Sequence, residues 1–160
     1  MHDQFVVDRL TRRSRRKLLL SLASAPAAVL LAANTGTEEP TKVTWGVLRG
    51  LNYRTGEQTA EIKKVNGKLA KVPGFMVPLD DDADMVNEFL LVPYVGACVH
   101  TPPPPPNQIV HVTMDAGKKT KVSFWDPVWV QGKLDVQTVK SPYGDVSFKM
   151  SAKLIEPYKD

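Results

Sequence analysis

The sequence predicts an all-β protein: a small OB-like barrel (the barrel type that binds oligonucleotides or oligosaccharides) of five to six strands, preceded by an N-terminal signal segment. From residue 42 onward, β-branched and aromatic residues recur in short runs separated by turn residues, which is typical of strands. One long run, residues 126–139, carries Gly132 near its middle and precedes a tight turn and a final alternating strand. This order is typical of the closing half of an OB barrel, in which a glycine lets a long strand bend. An open β-sandwich is the alternative arrangement of these strands.

The first half of the domain is predicted to contain two strands. Residues 42–52 combine β-branched and aromatic side chains with interrupting glycines. The Asn-Gly pair at 66–67 marks a turn, and residues 68–79 form the next strand, with Gly74 as a bulge or sharp bend. Residues 84–88 are predicted to form a helical turn, and no longer helix is expected after the signal segment.

The second half is predicted to contain four strands. Residues 89–95 are a continuous apolar run, which indicates a buried strand, and residues 108–114 alternate between apolar and polar side chains. The long strand at 126–139 is followed by a turn at 141–144 and a last strand at 145–155. One face of that last strand is apolar and consists of Val146, Phe148, Met150 and Ala152.

The N-terminal segment, residues 1–33, is predicted to be a signal peptide. An apolar stretch, residues 18–33, follows a basic region and spans roughly 24 Å as a helix, which is less than the ~30 Å of a bilayer core. Its length and its basic flank therefore favour a signal peptide over a transmembrane helix. The basic residues of the segment are Arg9, Arg12, Arg13, Arg15, Arg16 and Lys17.

The motif at residues 14–20 resembles the twin-arginine export signal, with general secretion as the alternative pathway. Export would place the protein in the periplasm. Residues 31–33 make a poor cleavage site because Leu31 is bulky, so a form tethered to the inner membrane by an uncleaved leader is also expected. Residues 34–41 are a polar linker, and residues 42–160 form the OB-like domain.

The net charge of +4 derives from the signal segment. Residues 1–33 hold six of the 21 basic and two of the 17 acidic side chains, which leaves 15 of each sign in the rest of the chain. A domain with balanced charge lacks the electrostatic attraction on which nucleic-acid binding depends, so nucleic acid is not an expected partner.

Three side chains are candidate metal ligands. Cys98 is the single cysteine, and His100 lies two residues further on, so both point to one face if this segment is extended. His111 lies on the next predicted strand, and a hairpin around the prolines would bring it opposite the pair. A thiolate and two imidazoles suit zinc and leave a fourth position open. Two alternatives stay open: a cysteine that is merely packed, and a Cys–His nucleophilic pair.

A run of five prolines follows, which predicts a rigid polyproline II rod. The rod is either an arm that docks a partner or a stiff connector that holds the loop with Cys98. The next two amides offer hydrogen bonds to the loop backbone. The residues concerned are Pro102, Pro103, Pro104, Pro105, Pro106, Asn107 and Gln108.

Four stretches of the chain resemble a bacterial family of exported domains of unknown function. They are residues 72–79, 89–100, 102–110 and 127–132, of which the Cys-x-His string with its five prolines is the most distinctive. Members of that family often accompany ABC transporters and are suspected of a part in handling zinc or other metals. The resemblance therefore implies an envelope location and a transporter partner.

The leading functional hypothesis is a periplasmic, non-enzymatic protein that binds a metal, zinc first, or assists an ABC transporter. The first alternative is an envelope interaction module that uses the proline rod, with Cys98 purely structural. The second alternative is an enzyme with a Cys–His pair.

Overall fold

The computed structural model describes residues 38–80, 82–97 and 103–159. The predicted signal segment, residues 1–33, lies outside the described residues, as does the first half of the predicted linker. The helices are α1 (Trp45–Leu48) and α2 (Ala60–Val65). The strands are β1 (Thr41–Lys42), β2 (Lys68–Pro78), β3 (Met85–Val86), β4 (Glu88–Val92), β5 (Val110–Met114), β6 (Thr120–Lys121), β7 (Val128–Ser141) and β8 (Gly144–Pro157).

Five strands close into a ring. The hydrogen-bonded order is β2, β4, β5, β8 and β7, and β7 pairs with β2 again. All of these pairs are antiparallel except β5–β8, which is parallel. The small OB-like barrel predicted from the sequence is therefore confirmed. A sixth strand, β1, pairs in parallel with the outer edge of β2.

β2 belongs to both halves of the ring because it changes partner in its middle. Its first part, as far as Gly74, pairs with β7, and from Phe75 onward it pairs with β4. A Cβ atom at Gly74 would lie 2.6 Å from the carbonyl oxygen of Val92. A glycine is needed there because two backbones approach more closely than a side chain allows.

The long strand predicted around Gly132 is confirmed as β7. The pairing of β7 with β8 shifts by one residue between Gln131 and Gly132, which is a β-bulge. A Cβ atom at Gly132 would collide with the carbonyl oxygen of Ser151 and lie 2.7 Å from Cα of Ala152. The bulge bends β7 and β8 together, which lets two strands of 14 residues each wrap around the barrel.

The barrel interior is apolar. The alternating face predicted for the last strand is buried as expected, with Phe148 and Met150 fully inaccessible to solvent. The two helices close the core, since Leu48 of α1 and Ile62 of α2 are also fully buried. Within the described ranges, no helix is long and apolar enough to cross a membrane.

The strand predicted over residues 42–52 is wrong beyond Lys42, and two short helices follow where none was expected. Thr44 caps α1, because its backbone is extended and its hydroxyl accepts a hydrogen bond from the amide of Val47 at 3.4 Å. Burial of Leu48 in the barrel core then outweighs the β propensity of the segment.

The helical turn predicted over residues 84–88 is also wrong. Met85 and Val86 form β3, which pairs with β6. The partner strand lies more than thirty residues further along the chain, so no local pattern around Met85 announces this pairing.

We expect Gly132→Ala to destabilise the domain by about 2–4 kcal/mol, because the new methyl group would collide with the backbone of β8. The matched control is Gly46→Ala in α1, whose Cβ would lie 3.5 Å from the hydroxyl oxygen of Thr44, an ordinary contact distance. The control should be neutral or more stable by up to about 1 kcal/mol. Urea unfolding of both variants measures the difference, and equal midpoints would contradict the account of the bulge.

Candidate functional site

Two of the three predicted metal ligands, Cys98 and His100, lie outside the described residues, as does Pro102. The segment that carries them follows Ala97 and precedes Pro103. Within the described ranges, no group of three or more His, Cys, Asp and Glu side chains is close enough to hold a metal ion.

The third predicted ligand, His111, lies on β5 with strands on both sides. Leu90 of β4 is its register partner on one side and Lys149 of β8 on the other. β4 and β5 are antiparallel neighbours on either side of the proline segment, and both edges of β5 are paired at this position. The predicted position of His111 opposite Cys98 and His100 stays a prediction, because those two residues lie outside the described part of the chain. Any ligand must approach His111 across the face of the sheet.

That face is the outside of the barrel. Val110 and Val112 point into the barrel core, so His111 between them points outward. A second apolar cluster covers this side of β4 and β5. We call it the outer cluster, and its buried members are Val77, Leu90, Val92, Ala97, Ile109 and Val146.

The outer cluster contains both described ends of the connection between β4 and β5. Ala97, the residue before Cys98, is completely buried in it, and so is Ile109, two residues before His111, with 2% exposed. Leu90, the register partner of His111, belongs to the same cluster. Ala97 and Ile109 therefore belong to the face that carries His111.

The side chain of His111 is 93% buried. Its imidazole has one partner among the described residues, Glu88 of β4. Nε2 lies 3.2 Å from Oε1 of Glu88. A carboxylate accepts hydrogen bonds, so this contact assigns the ring proton to Nε2. Nδ1 is buried and has no hydrogen-bond partner among the described residues.

Burial lowers the pKa of His111 below its ordinary value of 6.5, because a buried site disfavours the charged ring. The Glu88 carboxylate opposes this shift, and the ammonium group of Lys149 adds to it. The net direction is downward, so the ring is neutral at neutral pH. His111 therefore presents an unprotonated Nδ1 whose lone pair has no partner in the described part of the chain.

The predicted polyproline II conformation is present at Pro105 and ends there, because Pro106 begins a one-turn 3-10 helix, Pro106–Gln108. Pro105 has φ −61° and ψ 154°, close to the values of that helix. Pro104 is buried, while Pro103 and Pro105 are exposed. The rod is thus anchored to the domain by one ring and presents its neighbours to solvent.

The two predicted amides, Asn107 and Gln108, are buried and donate to backbone carbonyls of a different segment. Nδ2 of Asn107 lies 2.8 Å from the carbonyl oxygen of Leu51 and 3.4 Å from that of Arg49. Nε2 of Gln108 lies 3.2 Å from the carbonyl oxygen of Trp45. The carbonyls of Arg49 and Leu51 lie beyond the end of α1, where a helix leaves such groups without partners. The carbonyl of Trp45, at the start of α1, also accepts from the amide of Arg49. We call this pair of amides the amide clamp.

Sequence reasoning missed Glu88. Its role depends on the strand register, which places Glu88 opposite Thr113 and thus diagonal to His111. An acidic residue at the start of an apolar run carries no signal for this pairing in the sequence.

A family model described as "Protein of unknown function (DUF3299)" matches residues 48–157, more than half of the chain. The chain belongs to the DUF3299 family. A crystal structure of a DUF3299 family protein from Pseudomonas aeruginosa PAO1 is similar, with 33% identity and a TM-score of 0.60. The similarity covers 76% of this chain and 98% of that one. No curated protein matches the chain. The predicted membership in a family of unknown function is confirmed.

Removing one arm of the amide clamp should destabilise this DUF3299 domain. We expect Asn107→Ala to cost about 1–3 kcal/mol of unfolding free energy, since it leaves the buried carbonyl of Leu51 without this donor. Asn87→Ala is the matched control, because that side chain is exposed, and it should stay within about 0.5 kcal/mol of wild type. Urea unfolding compares them, and a cost in Asn107→Ala no larger than in the control would disprove the clamp.

His111 should also make the stability of the DUF3299 domain depend on pH. With its folded pKa below 6.5, the unfolded chain binds the proton first as the pH falls. The stability that the neutral His111 ring contributes is therefore fully present above about pH 6.5. It is lost as the pH falls toward the pKa of His111 in the folded protein. We expect His111→Gln to remove this part of the acid sensitivity in urea unfolding with a chelator present.

A second variant tests the direction in which Glu88 shifts the pKa of His111. Glu88→Gln removes the charge that opposes the shift, so its acid loss should be larger than that of wild type. Identical pH profiles for wild type and His111→Gln would show that His111 does not titrate as described.

Proposed function

We propose that this DUF3299 protein is a non-enzymatic metal-binding protein of the bacterial periplasm, with zinc as the first candidate. We further propose that it acts as an accessory to an ABC transporter. The observation that carries the proposal is the state of His111: a buried, neutral imidazole whose Nδ1 has no partner among the described residues.

The partner on the other ring nitrogen supports a ligand role. Histidines that bind metals commonly donate their second ring N–H to a carboxylate, which fixes the tautomer and the ring orientation. Glu88 holds that position at 3.2 Å from Nε2. The arrangement leaves the metal-binding nitrogen unprotonated without the metal having to displace a proton from it.

The burial of Nδ1 also supports a ligand role for His111. A buried polar atom without a hydrogen bond costs about 1–3 kcal/mol, so a protein seldom keeps one without use. Binding of Nδ1 to a metal would recover that free energy. The proposal places Cys98 and His100 as the other two ligands, since their segment starts from Ala97 in the outer cluster.

A donor set of one thiolate and two imidazoles suits zinc better than calcium or magnesium, which prefer oxygen ligands. A fourth position would be filled by water or by a side chain of a partner. The composition of residues 1–33 supports an exported location, soluble or tethered by that leader. The family resemblance supports the transporter partner.

The test is a zinc titration of the protein at about pH 7.5, followed by competition with a chromophoric chelator. We expect one zinc per chain in wild type and loss of binding in Cys98→Ser and in His111→Gln. Glu88→Gln should bind about 10–100-fold more weakly, because it removes the carboxylate that orients His111. Affinity should fall at acid pH, where the ligands take up protons.

The matched control is Glu57→Gln, which makes the same change at an exposed carboxylate outside this face. It should bind zinc as wild type does. Equally weak zinc binding by wild type and Cys98→Ser would contradict the proposal.

A further inference from the structure

A cleft of about 330 Å³ lies on the outer surface of the barrel, where β2, β7 and the end of β8 run side by side. Trp129 of β7 forms part of its wall and points outward, because Val128 and Val130 on either side of it point into the core. Two lysines and one glutamate also line it. We call it the lysine cleft, and its lining is Lys71, Trp129, Ile155, Glu156, Pro157 and Lys159.

A further lysine stands directly beside Lys71. Lys42 of β1 is the register partner of Lys71. Both side chains point outward, because the next residues, Val43 and Val72, are buried in the core. Their ammonium groups lie over the same indole, with Nζ of Lys71 5.1 Å and Nζ of Lys42 5.9 Å from the ring centroid of Trp129. Like charges directly opposite each other on neighbouring strands are destabilising, so this arrangement favours an anion.

One carboxylate offsets part of this charge. Oε2 of Glu156 lies 3.1 Å from Nζ of Lys71. Within the described ranges, no carboxylate forms an ion pair with Lys42 or Lys159. Three positive charges therefore face one negative charge around Trp129, and the site is complementary to an anion.

The aromatic wall and one of the lysines are held in place. Tyr158 stacks on Trp129, with ring centroids 5.2 Å apart, and its amide donates to the carbonyl oxygen of Pro127 at 3.0 Å. The side chain of Lys71 is only 21% exposed. Partly buried charges are screened less by salt than exposed ones, so Lys71 is a stronger partner for an anion than a lysine in open solvent.

We propose that the lysine cleft binds the phosphate group of a phosphate monoester. Such a group carries a charge of about −1.5 to −2 at neutral pH and three acceptor oxygens, which is enough for both Lys42 and Lys71. Its binding would remove the repulsion between these two register partners. Trp129 and Pro157 offer an apolar wall to the rest of the ligand. The proposal does not depend on the metal site, because that site is built on His111 of β5.

Calorimetric titration of the full-length protein with glycerol 3-phosphate, at an ionic strength of about 20 mM, tests the proposal. Wild type should bind one equivalent with a Kd of about 1 mM or tighter. Lys42→Gln and Lys71→Gln should each bind about fivefold more weakly or worse, because each removes one cation. Lys42→Arg keeps the charge and should bind as wild type does.

Two further variants sharpen the result. Glu156→Gln removes the carboxylate that competes for Lys71, so it should bind glycerol 3-phosphate about twofold more tightly or better. The matched control is Lys140→Gln, which makes the same change of net charge at an exposed lysine near the turn between β7 and β8. It should bind as wild type does.

Vesicles of phosphatidylcholine with and without phosphatidic acid identify the source of the phosphate, because phosphatidic acid carries the same monoester on a lipid. Cosedimentation that requires both phosphatidic acid and Lys42 would assign the cleft to a lipid headgroup. Binding of glycerol 3-phosphate without such cosedimentation would assign it to a soluble ester. All variants keep the leader, so a difference between them reports on the cleft.

Three results would overturn the proposal. The first is a wild type that binds neither glycerol 3-phosphate nor the phosphatidic acid vesicles. The second is an equal loss of binding in Lys42→Gln and in the control Lys140→Gln, which would show a general effect of net charge. The third is weaker binding by Glu156→Gln, which would show that Glu156 does not compete with the anion.

Discussion

The partner change of β2 at Gly74 is the constraint on which the rest of the fold depends. One strand must pair with β7 along its first part and with β4 along its second, or the five strands do not form a ring. A side chain at Gly74 would meet the carbonyl oxygen of Val92, so the close approach requires glycine. The close approach of Gly132 to the backbone of Ser151 likewise requires a glycine in the long β7–β8 pair. Ring closure fixes the register of β4 against β5, and that register places Glu88 beside His111.

The two faces of β5 differ, because one packs into the barrel core and the other carries His111. Val110 and Val112 fill the interior, whereas His111 lies on the outside and is nevertheless buried. Ala97 and Ile109, from the described parts of the β4–β5 connection, are buried in the outer cluster on the same face. Removing an imidazole from water is unfavourable when Nδ1 has no hydrogen-bond partner, and none is present among the described residues. This unfavourable term is the one that the proposed metal would remove.

The amide clamp links three otherwise separate features. Asn107 and Gln108 follow the proline rod, precede β5 and bond the backbone around α1. One end of the β4–β5 connection is thereby held to α1 and to the turn that follows it.

The sequence by itself determined the class of the fold, because alternation, turn residues and a mid-strand glycine are local signals. It determined the strands around Gly132 and the buried face with Phe148, and it singled out His111. Only the tertiary structure decided that residues 45–48 are helical, that Met85 pairs with a distant strand, and that His111 has paired strands on both sides. Only it brought Glu88 to the imidazole and gathered Lys42 and Lys71 over the ring of Trp129. These contacts join residues far apart in the chain, and their free energy comes from burial and register, which exist once the ring has closed.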